Sequence, residues 1–184
     1  MLHKKLSPLA TFALMAALAA PLFAATPGTA DAMFAQAKAE AAQQHKNILL
    51  VFSASWCGPC KLYERFLEDP QMKPITGKAF VVVRIDVGER PGDPRHADTP
   101  GGVKLRTALG AVKEPGFPWL VMTGDNGKPL VNSYRNGDPN GNVGYPAAPE
   151  EIDWYIGMLR RAAPALSPED IAATRAWLQQ HAPR

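Results

Sequence analysis

Two strongly apolar runs, at 48–52 and 80–86, constrain the fold of this chain more than any other feature. The first run has no polar residue, and the second is rich in β-branched side chains. Between them, Leu62, Phe66 and Leu67 recur at helical spacing within residues 61–68. A strand–helix–strand crossover places its two strands parallel in one sheet. The sequence therefore predicts a βαβ unit with 48–52 as a buried central strand.

Other segments extend this unit to a whole domain. Helical patterns cover 31–46, 103–109, 150–161 and 167–181, and the runs 119–122 and 130–134 flank a Gly-Asp-Asn-Gly turn typical of a β-hairpin. Two loops rich in glycine and proline separate these elements, at 88–102 and 136–149. The sequence predicts an α/β fold with a mixed sheet of about four to five strands and helices on both faces.

Composition excludes several functional classes. The chain has 184 residues, of which 46% are hydrophobic and 20% charged, and these are values of one globular domain. The net charge of +3 is scattered along the sequence. Because no stripe of lysine and arginine stands out, we do not expect a nucleic-acid partner.

The first residues have the layout of a secretory signal peptide. His3, Lys4 and Lys5 precede an apolar run at 6–18, and small residues follow near Ala24. We predict a signal at 1–24, with the cleavage point between 24 and 30. An uncleaved membrane anchor is the alternative, but the apolar run is short for a membrane span.

The chain has only two cysteines, Cys57 and Cys60, directly after the predicted central strand. A disulfide between them would close almost no loop and would add little stability, so the pair is expected to serve chemistry. At the start of a helix, the positive end of the helix dipole favours thiolate over thiol. We expect Cys57 to be exposed and to attack, and Cys60 to be buried and to resolve the mixed disulfide.

Metal binding and haem attachment are the competing interpretations of this pair. A structural zinc site needs four ligands, and the chain has no second cysteine pair. Its four histidines are dispersed, at His3, His45, His96 and His181. Covalent haem attachment needs a histidine after Cys60, where the chain has Lys61. The sequence therefore favours redox chemistry, with no metal and no cofactor.

Two motifs resemble those of the thioredoxin family: Trp-Cys-Gly-Pro-Cys-Lys at 56–61 and Gly-Phe-Pro-Trp at 116–119. The resemblance implies a thioredoxin-like fold over 31–161, with 88–102 and 136–149 as inserted loops and 162–184 as a C-terminal helical extension. It implies that Cys57 and Cys60 form the redox-active disulfide. It further implies that Pro118 is a cis-proline beside that disulfide and that Phe117 offers its backbone to the substrate. The supporting residues of the active site would be Trp56, Gly58, Pro59 and Lys61.

One position departs from the thioredoxin pattern. Thioredoxin has a buried aspartate six residues before its first cysteine, and this chain has Val51 there. The lysine that accompanies the aspartate on the neighbouring strand is missing as well, with Val82 nearest to its place. Proton transfer at Cys60 is therefore expected to use water or another group.

The resemblance implies a thiol–disulfide oxidoreductase that acts on protein substrates, and the signal-like first residues predict that it is exported, to the periplasm or by secretion. The Gly58-Pro59 dipeptide resembles reducing members of the superfamily, so we expect a reductase supplied with electrons by a membrane-embedded donor. A disulfide oxidase or isomerase is one alternative. A non-catalytic binding module that keeps the thioredoxin fold is another.

Overall fold

The computed structural model describes residues 28–93, 96–112 and 114–183. The predicted signal peptide at 1–24 lies outside these residues. Within the described part of the chain, no helix is both long enough and apolar enough to cross a membrane.

Six α-helices and four β-strands make up the described domain. The helices are α1 (Ala30–Gln44), α2 (Gly58–Glu68), α3 (Met72–Ala79), α4 (Gly102–Ala108), α5 (Pro149–Ala162) and α6 (Pro168–Gln180). The strands are β1 (Asn47–Ser53), β2 (Phe80–Asp86), β3 (Trp119–Thr123) and β4 (Pro129–Asn132). A short 3₁₀ turn follows β4 at Arg135–Gly137.

The sheet is mixed and has the strand order β2-β1-β3-β4. β1 pairs parallel to β2 and antiparallel to β3, and β3 pairs antiparallel to β4. The predicted βαβ unit, the hairpin and the number of strands are confirmed. The five residues from Ile48 to Phe52 are all buried, as expected for a strand with neighbours on both sides and helices above and below.

Helices cover both faces of the sheet, as predicted. On one face, Leu49 and Val51 of β1 share a core with side chains of α2, α3, α5 and α6. On the other face, Ile48, Leu50 and Phe52 pack against α1 and α4. The alternation along β1 follows from the two-residue period of a strand, and it directs Val51 toward the side on which α2 lies.

The sequence pattern missed helix α3. Its segment contains Pro74 and Gly77, which lower the intrinsic helix propensity. Pro74 lies in the first turn, where a missing N–H costs no internal hydrogen bond. The side chain of Asp69 accepts hydrogen bonds from the N–H groups of Gln71 and Met72, at 2.8 and 3.2 Å. Tertiary packing of the buried Met72 then stabilises a helix that propensity alone does not predict.

Helix α6 packs on the same core as α5. Its Trp177 lies edge-on to Phe66 of α2, with ring centroids 5.3 Å apart. At its start, Ser167 and Asp170 form a reciprocal capping box. Asp170 also accepts a hydrogen bond from Lys78 of α3 at 2.7 Å, and its side chain is 11% exposed. This carboxylate therefore links α6 to α3.

Asp170→Asn is expected to lower the free energy of unfolding by about 1 kcal/mol near neutral pH, because it removes the ion pair and weakens the cap. The hydrogen bond from Lys78, followed by that from the Ser167 N–H, lowers the pKa of Asp170 in the folded protein. A carboxyl group whose pKa is lowered in the folded state stabilises the protein at pH values above the unfolded-state pKa of about 4. This stabilisation is lost as the pH falls below that value. Urea unfolding of the wild-type protein and of Asp170→Asn should show a difference in the free energy of unfolding that shrinks below about pH 4. Asp153→Asn, in the exposed pair with Arg175, is the control and should change stability less.

Candidate active site

The two cysteines form a disulfide at the start of helix α2. Cys57 is the N-cap residue of this helix and Cys60 lies in its first turn, with their Cα atoms 5.2 Å apart. The backbone N–H of Cys60 donates to Sγ of Cys57 at 3.1 Å. Pro59 lies among the first helical residues, where it gives up no internal hydrogen bond. The Cys57 sulfur is therefore the one that the unpaired N–H groups of the helix would stabilise as a thiolate.

The predicted exposure of Cys57 is wrong for this disulfide-bonded state. Cys57 is only 3% exposed and Cys60 is 7% exposed. The two cysteines form a small cluster with Ala54, and the ring of Phe117 packs against it. Protein atoms therefore surround the Cys57 sulfur, which the sequence predicted to be exposed. The difference between the two cysteines lies in the hydrogen bond at the helix start and not in their exposure.

Trp56 and Phe117 form an aromatic wall beside the disulfide. Their rings lie edge to face, with centroids 6.1 Å apart, and Trp56 is 45% exposed. The indole N–H of Trp56 donates to the carbonyl of Gly88 at 2.9 Å. Gly88 has φ = +78°, and a Cβ there would lie 3.0 Å from the ring of Phe117. Glycine is therefore required where the 88–102 loop passes beneath this wall.

The segment before β3 brings Phe117 to the disulfide. The Phe117–Pro118 peptide bond is cis, as the resemblance predicts. Pro118 is buried, and Phe117 is half-buried. Phe117 also lies next to the guanidinium of Arg106, which is 5.8 Å from its ring centroid. The roles of Phe117 and Pro118 toward a substrate stay predictions.

A comparison with protein families decides the family of this chain. A family model described as thioredoxin-like matches residues 29–122, slightly more than half of the 184 residues. The chain belongs to the thioredoxin-like family. The matched range runs from before α1 into β3, one residue short of its end, and includes the cysteine pair and Pro118.

Individual relatives match over shorter or more divergent ranges. The thioredoxins of Listeria monocytogenes and Listeria innocua are each 38% identical over 64 residues, which is 35% of this chain and 55% of each thioredoxin. The chain thus spans about half the length of the curated relatives it matches. A solved disulphide isomerase from Xylella fastidiosa Temecula1 has a TM-score of 0.47 and 24% identity, over 78% of this chain and 86% of that one. A solved DsbH oxidoreductase has a TM-score of 0.44 and 24% identity, over 68% of this chain and 81% of that one.

Beside the cysteine pair lies a cleft of about 440 Å³, which Val51 and Cys60 both line. Val51 is the position at which the thioredoxin pattern has an aspartate. The register of the sheet pairs Val51 with Arg84, so the neighbouring strand presents a cation here even though Val82 replaces the family's lysine. Arg84 forms ion pairs with Glu64 and Glu68 of α2. The cleft therefore carries charged groups, although its wall at position 51 is apolar.

Other groups in the cleft differ in their capacity to accept a proton. Asp86 and Glu64 contribute carboxylates, and Asp86 accepts a hydrogen bond from the Ser53 hydroxyl at 3.0 Å. Tyr63 also lines the cleft, with its hydroxyl 2.9 Å from that of Tyr155. Burial, and then the neighbouring Tyr155, raise the pKa of Tyr63, so its phenol stays protonated. Asp86, Glu64 and the imidazole of His96 are therefore the candidate proton acceptors that line the cleft with Cys60.

The 88–102 loop is fastened to the segment that carries the cysteines. Both carboxylate oxygens of Glu89 accept hydrogen bonds from Ser55, one from its N–H at 2.6 Å and one from its hydroxyl at 2.7 Å. The Glu89 N–H in turn donates to Asp98 at 2.7 Å. The guanidinium of Arg90 lies 5.6 Å from the Trp56 ring centroid. This loop is thus part of the wall around the active site.

Glu89→Ala is expected to lower the free energy of unfolding by about 1–3 kcal/mol, because it removes two hydrogen bonds to a charged acceptor. It should also increase cleavage of the 88–102 loop in limited proteolysis. Chemical unfolding and a proteolysis time course measure the two effects. Glu114→Ala, at an exposed glutamate, is the control. If Glu89→Ala behaved like Glu114→Ala in both assays, the Ser55 contacts would not fasten the loop.

Sequence reasoning found the cysteine pair, Trp56 and the Phe117–Pro118 segment, which the structure brings together. Gly58, Pro59 and Lys61 lie in the first turn of α2, as their spacing requires. Sequence reasoning missed Glu89, Arg84 and Asp86, which approach the site from β2 and from the loop that follows β2. A charged residue at the end of a strand is a weak signal by itself. The parallel register of β1 and β2 would have placed Asp86 beside Ser53.

Proposed function

We propose that this protein is an exported thiol–disulfide oxidoreductase that reduces disulfides in protein substrates through Cys57 and Cys60. The observation that carries the proposal is the disulfide at the start of α2, in which the Cys60 N–H donates to Cys57 Sγ. A helix start stabilises a thiolate at Cys57, and the thiolate is the reactive form of cysteine. The short separation of the two residues allows Cys60 to complete the exchange.

The proposed reaction has two steps. The Cys57 thiolate attacks one sulfur of a substrate disulfide, the substrate S–S bond breaks, and the other substrate sulfur leaves as a thiolate that takes up a proton. The Cys60 thiolate then attacks Cys57 Sγ and releases the second substrate thiol. Two electrons have passed from the dithiol to the substrate, and the Cys57–Cys60 disulfide is the oxidised product. A dithiol donor must reduce it again, and we propose one embedded in the membrane.

The aromatic wall supports a polypeptide as substrate. Trp56 and Phe117 offer partly exposed rings on one side of the sulfurs. Phe117 packs against the cysteine pair, and we propose that its backbone pairs with an extended segment of the substrate. The reducing direction is supported by the Gly58-Pro59 dipeptide, which resembles that of reducing members of the superfamily.

Disulfide reduction in insulin with dithiothreitol as the electron source tests this function. The wild-type protein should accelerate the reduction, and the variant with both Cys57→Ser and Cys60→Ser should leave the uncatalysed rate. If the wild-type protein gave only the uncatalysed rate, the chain would be a thioredoxin-fold binding module and the proposal would fail.

Export is tested separately. We propose that the signal at 1–24 is removed and that the protein works in the periplasm. Cell fractionation followed by determination of the mature N-terminus should give a periplasmic protein that begins between residues 25 and 31, following the predicted cleavage range. A full-length protein in the cytoplasmic fraction would contradict the localisation but not the redox chemistry.

A further inference from the structure

The side chain of Asn142 spans the peptide bond between Phe117 and Pro118. Its Nδ2 donates to the carbonyl of Gly116 at 2.6 Å and to the carbonyl of Pro118 at 3.2 Å. These two carbonyls lie on either side of Phe117 in the sequence. Asn142 belongs to the 136–149 loop, which sequence reasoning treated only as an insertion.

The orientation of this amide is fixed from its other end. The hydroxyl of Ser133 donates to Oδ1 of Asn142 at 2.6 Å and accepts from the N–H of Leu120 at 2.9 Å. Ser133 is fully buried. The backbone beside Asn142 is held as well, because the Val143 N–H donates to the Ser133 carbonyl at 2.9 Å. With Oδ1 engaged by a donor, Nδ2 must face the two carbonyls.

The residue between those carbonyls is left available. Among the residues that the structure describes, no hydrogen bond uses the backbone N–H or C=O of Phe117. Its neighbours on both sides are held by one amide that is itself connected to β3 through Ser133. The backbone of Phe117 is therefore fixed in orientation while its own polar groups remain unpaired.

We propose that Asn142 is a positioning residue, which holds the Phe117 backbone in the orientation that pairs with an extended polypeptide substrate. The inference rests on the proposed function and deepens it, because it assigns to the 136–149 loop the selection of polypeptide over small disulfides. A small disulfide needs only access to the Cys57 sulfur. A polypeptide also depends on the two backbone groups of Phe117, and a misdirected hydrogen-bond group contributes little to binding.

The test compares a protein disulfide with a small one. Asn142→Asp keeps the shape of the side chain but replaces the donor with an acceptor that the two carbonyls repel. Its KM for insulin should rise about tenfold, the effect of losing roughly 1.4 kcal/mol of binding. Its rate with the small aromatic disulfide 5,5′-dithiobis(2-nitrobenzoate), with the enzyme supplied as the dithiol, should stay within about twofold of wild type. Its kcat for insulin should change less than its KM.

Asn140→Ala is the matched control, since Asn140 lies in the same loop and its exposed side chain bonds only to Asp138 among the described residues. Ser133→Ala removes the hydrogen bond that orients Asn142 and should shift KM in the same direction by a smaller factor. It keeps the test decisive if Asn142→Asp does not fold. Unchanged KM values would overturn the inference, as would equal losses with both substrates, which indicate a purely structural role. A wild-type protein inactive toward both disulfides would refute the proposed function itself.

Discussion

Cys60→Ser is expected to accumulate a covalent mixed disulfide with protein substrates, whereas Cys57→Ser is expected to accumulate none. Both substitutions should reduce turnover to the uncatalysed rate. The reason is the asymmetry of the helix start, where the Cys60 N–H donates to Cys57 Sγ at 3.1 Å. Cys57 is thus the sulfur that the helix stabilises as a thiolate and the one that should attack. Without Cys60, the bond between Cys57 and the substrate has no internal thiolate to resolve it.

Non-reducing electrophoresis of each single variant, after incubation with an oxidised protein substrate, measures the trapped species. Brief alkylation of the reduced wild-type protein near neutral pH gives an independent readout, which should label Cys57 and spare Cys60. The variant without both cysteines is the control for non-covalent association. Trapping by Cys57→Ser as efficient as that by Cys60→Ser, or equal alkylation of both thiols, would overturn the two roles.

Val51→Asp is expected to speed the resolving step at pH 7–8 and to lower the free energy of unfolding by roughly 2–4 kcal/mol. Val51 is 4% exposed and lines the cleft together with Cys60. Burial there would raise the pKa of the introduced carboxyl group, and a base with a pKa nearer the working pH assists proton transfer better. The neighbouring Arg84 opposes this rise, but Glu64 and Glu68 already engage its charge.

The stability of this variant is expected to change with pH in a definite direction. A carboxyl whose folded pKa lies above its unfolded pKa destabilises the protein progressively as pH rises through that interval. Val51→Asp should therefore be less destabilised at about pH 4 than at about pH 8. Val51→Asn is the control, because it introduces a polar side chain of the same size as aspartate that cannot titrate in this range.

Stopped-flow measurement of the resolution of a mixed disulfide, across pH, decides the outcome for position 51. Faster resolution by Val51→Asp but not by Val51→Asn would show that the apolar residue limits proton transfer. Equal rates in all three proteins would contradict this prediction and would mean that position 51 does not limit proton transfer, which the groups already in the cleft, Asp86, Glu64 and His96, can then supply.

The sequence predicted the framework of the fold because that framework follows from local patterns. Apolar runs of strand length predicted β1 and β2, and the placement of two cysteines between a strand and a helix predicted a pair that serves redox chemistry. The resemblance added the cis-proline at Pro118. Helix α3 escaped prediction because Pro74 and Gly77 weaken its local signal, and packing of Met72 compensates for them.

The side chains that complete the site were harder to predict because distant parts of the chain supply them. Glu89 reaches Ser55 across 34 residues, and Asn142 reaches Gly116 across 26. Neither residue belongs to a periodic pattern, and both lie in loops that composition describes only as glycine- and proline-rich. The burial of Cys57 was missed for a related reason, since Phe117 covers it from another segment.

The reduction potential of the Cys57–Cys60 pair tests the central claim of a reducing oxidoreductase most directly. Equilibration of the protein with defined dithiothreitol or glutathione buffers, followed by quantification of both thiols, gives this value. We predict a potential below about −220 mV, close to that of thioredoxin. A potential near about −120 mV, the range of a strong oxidant, would contradict the account and would make the protein a disulfide oxidase.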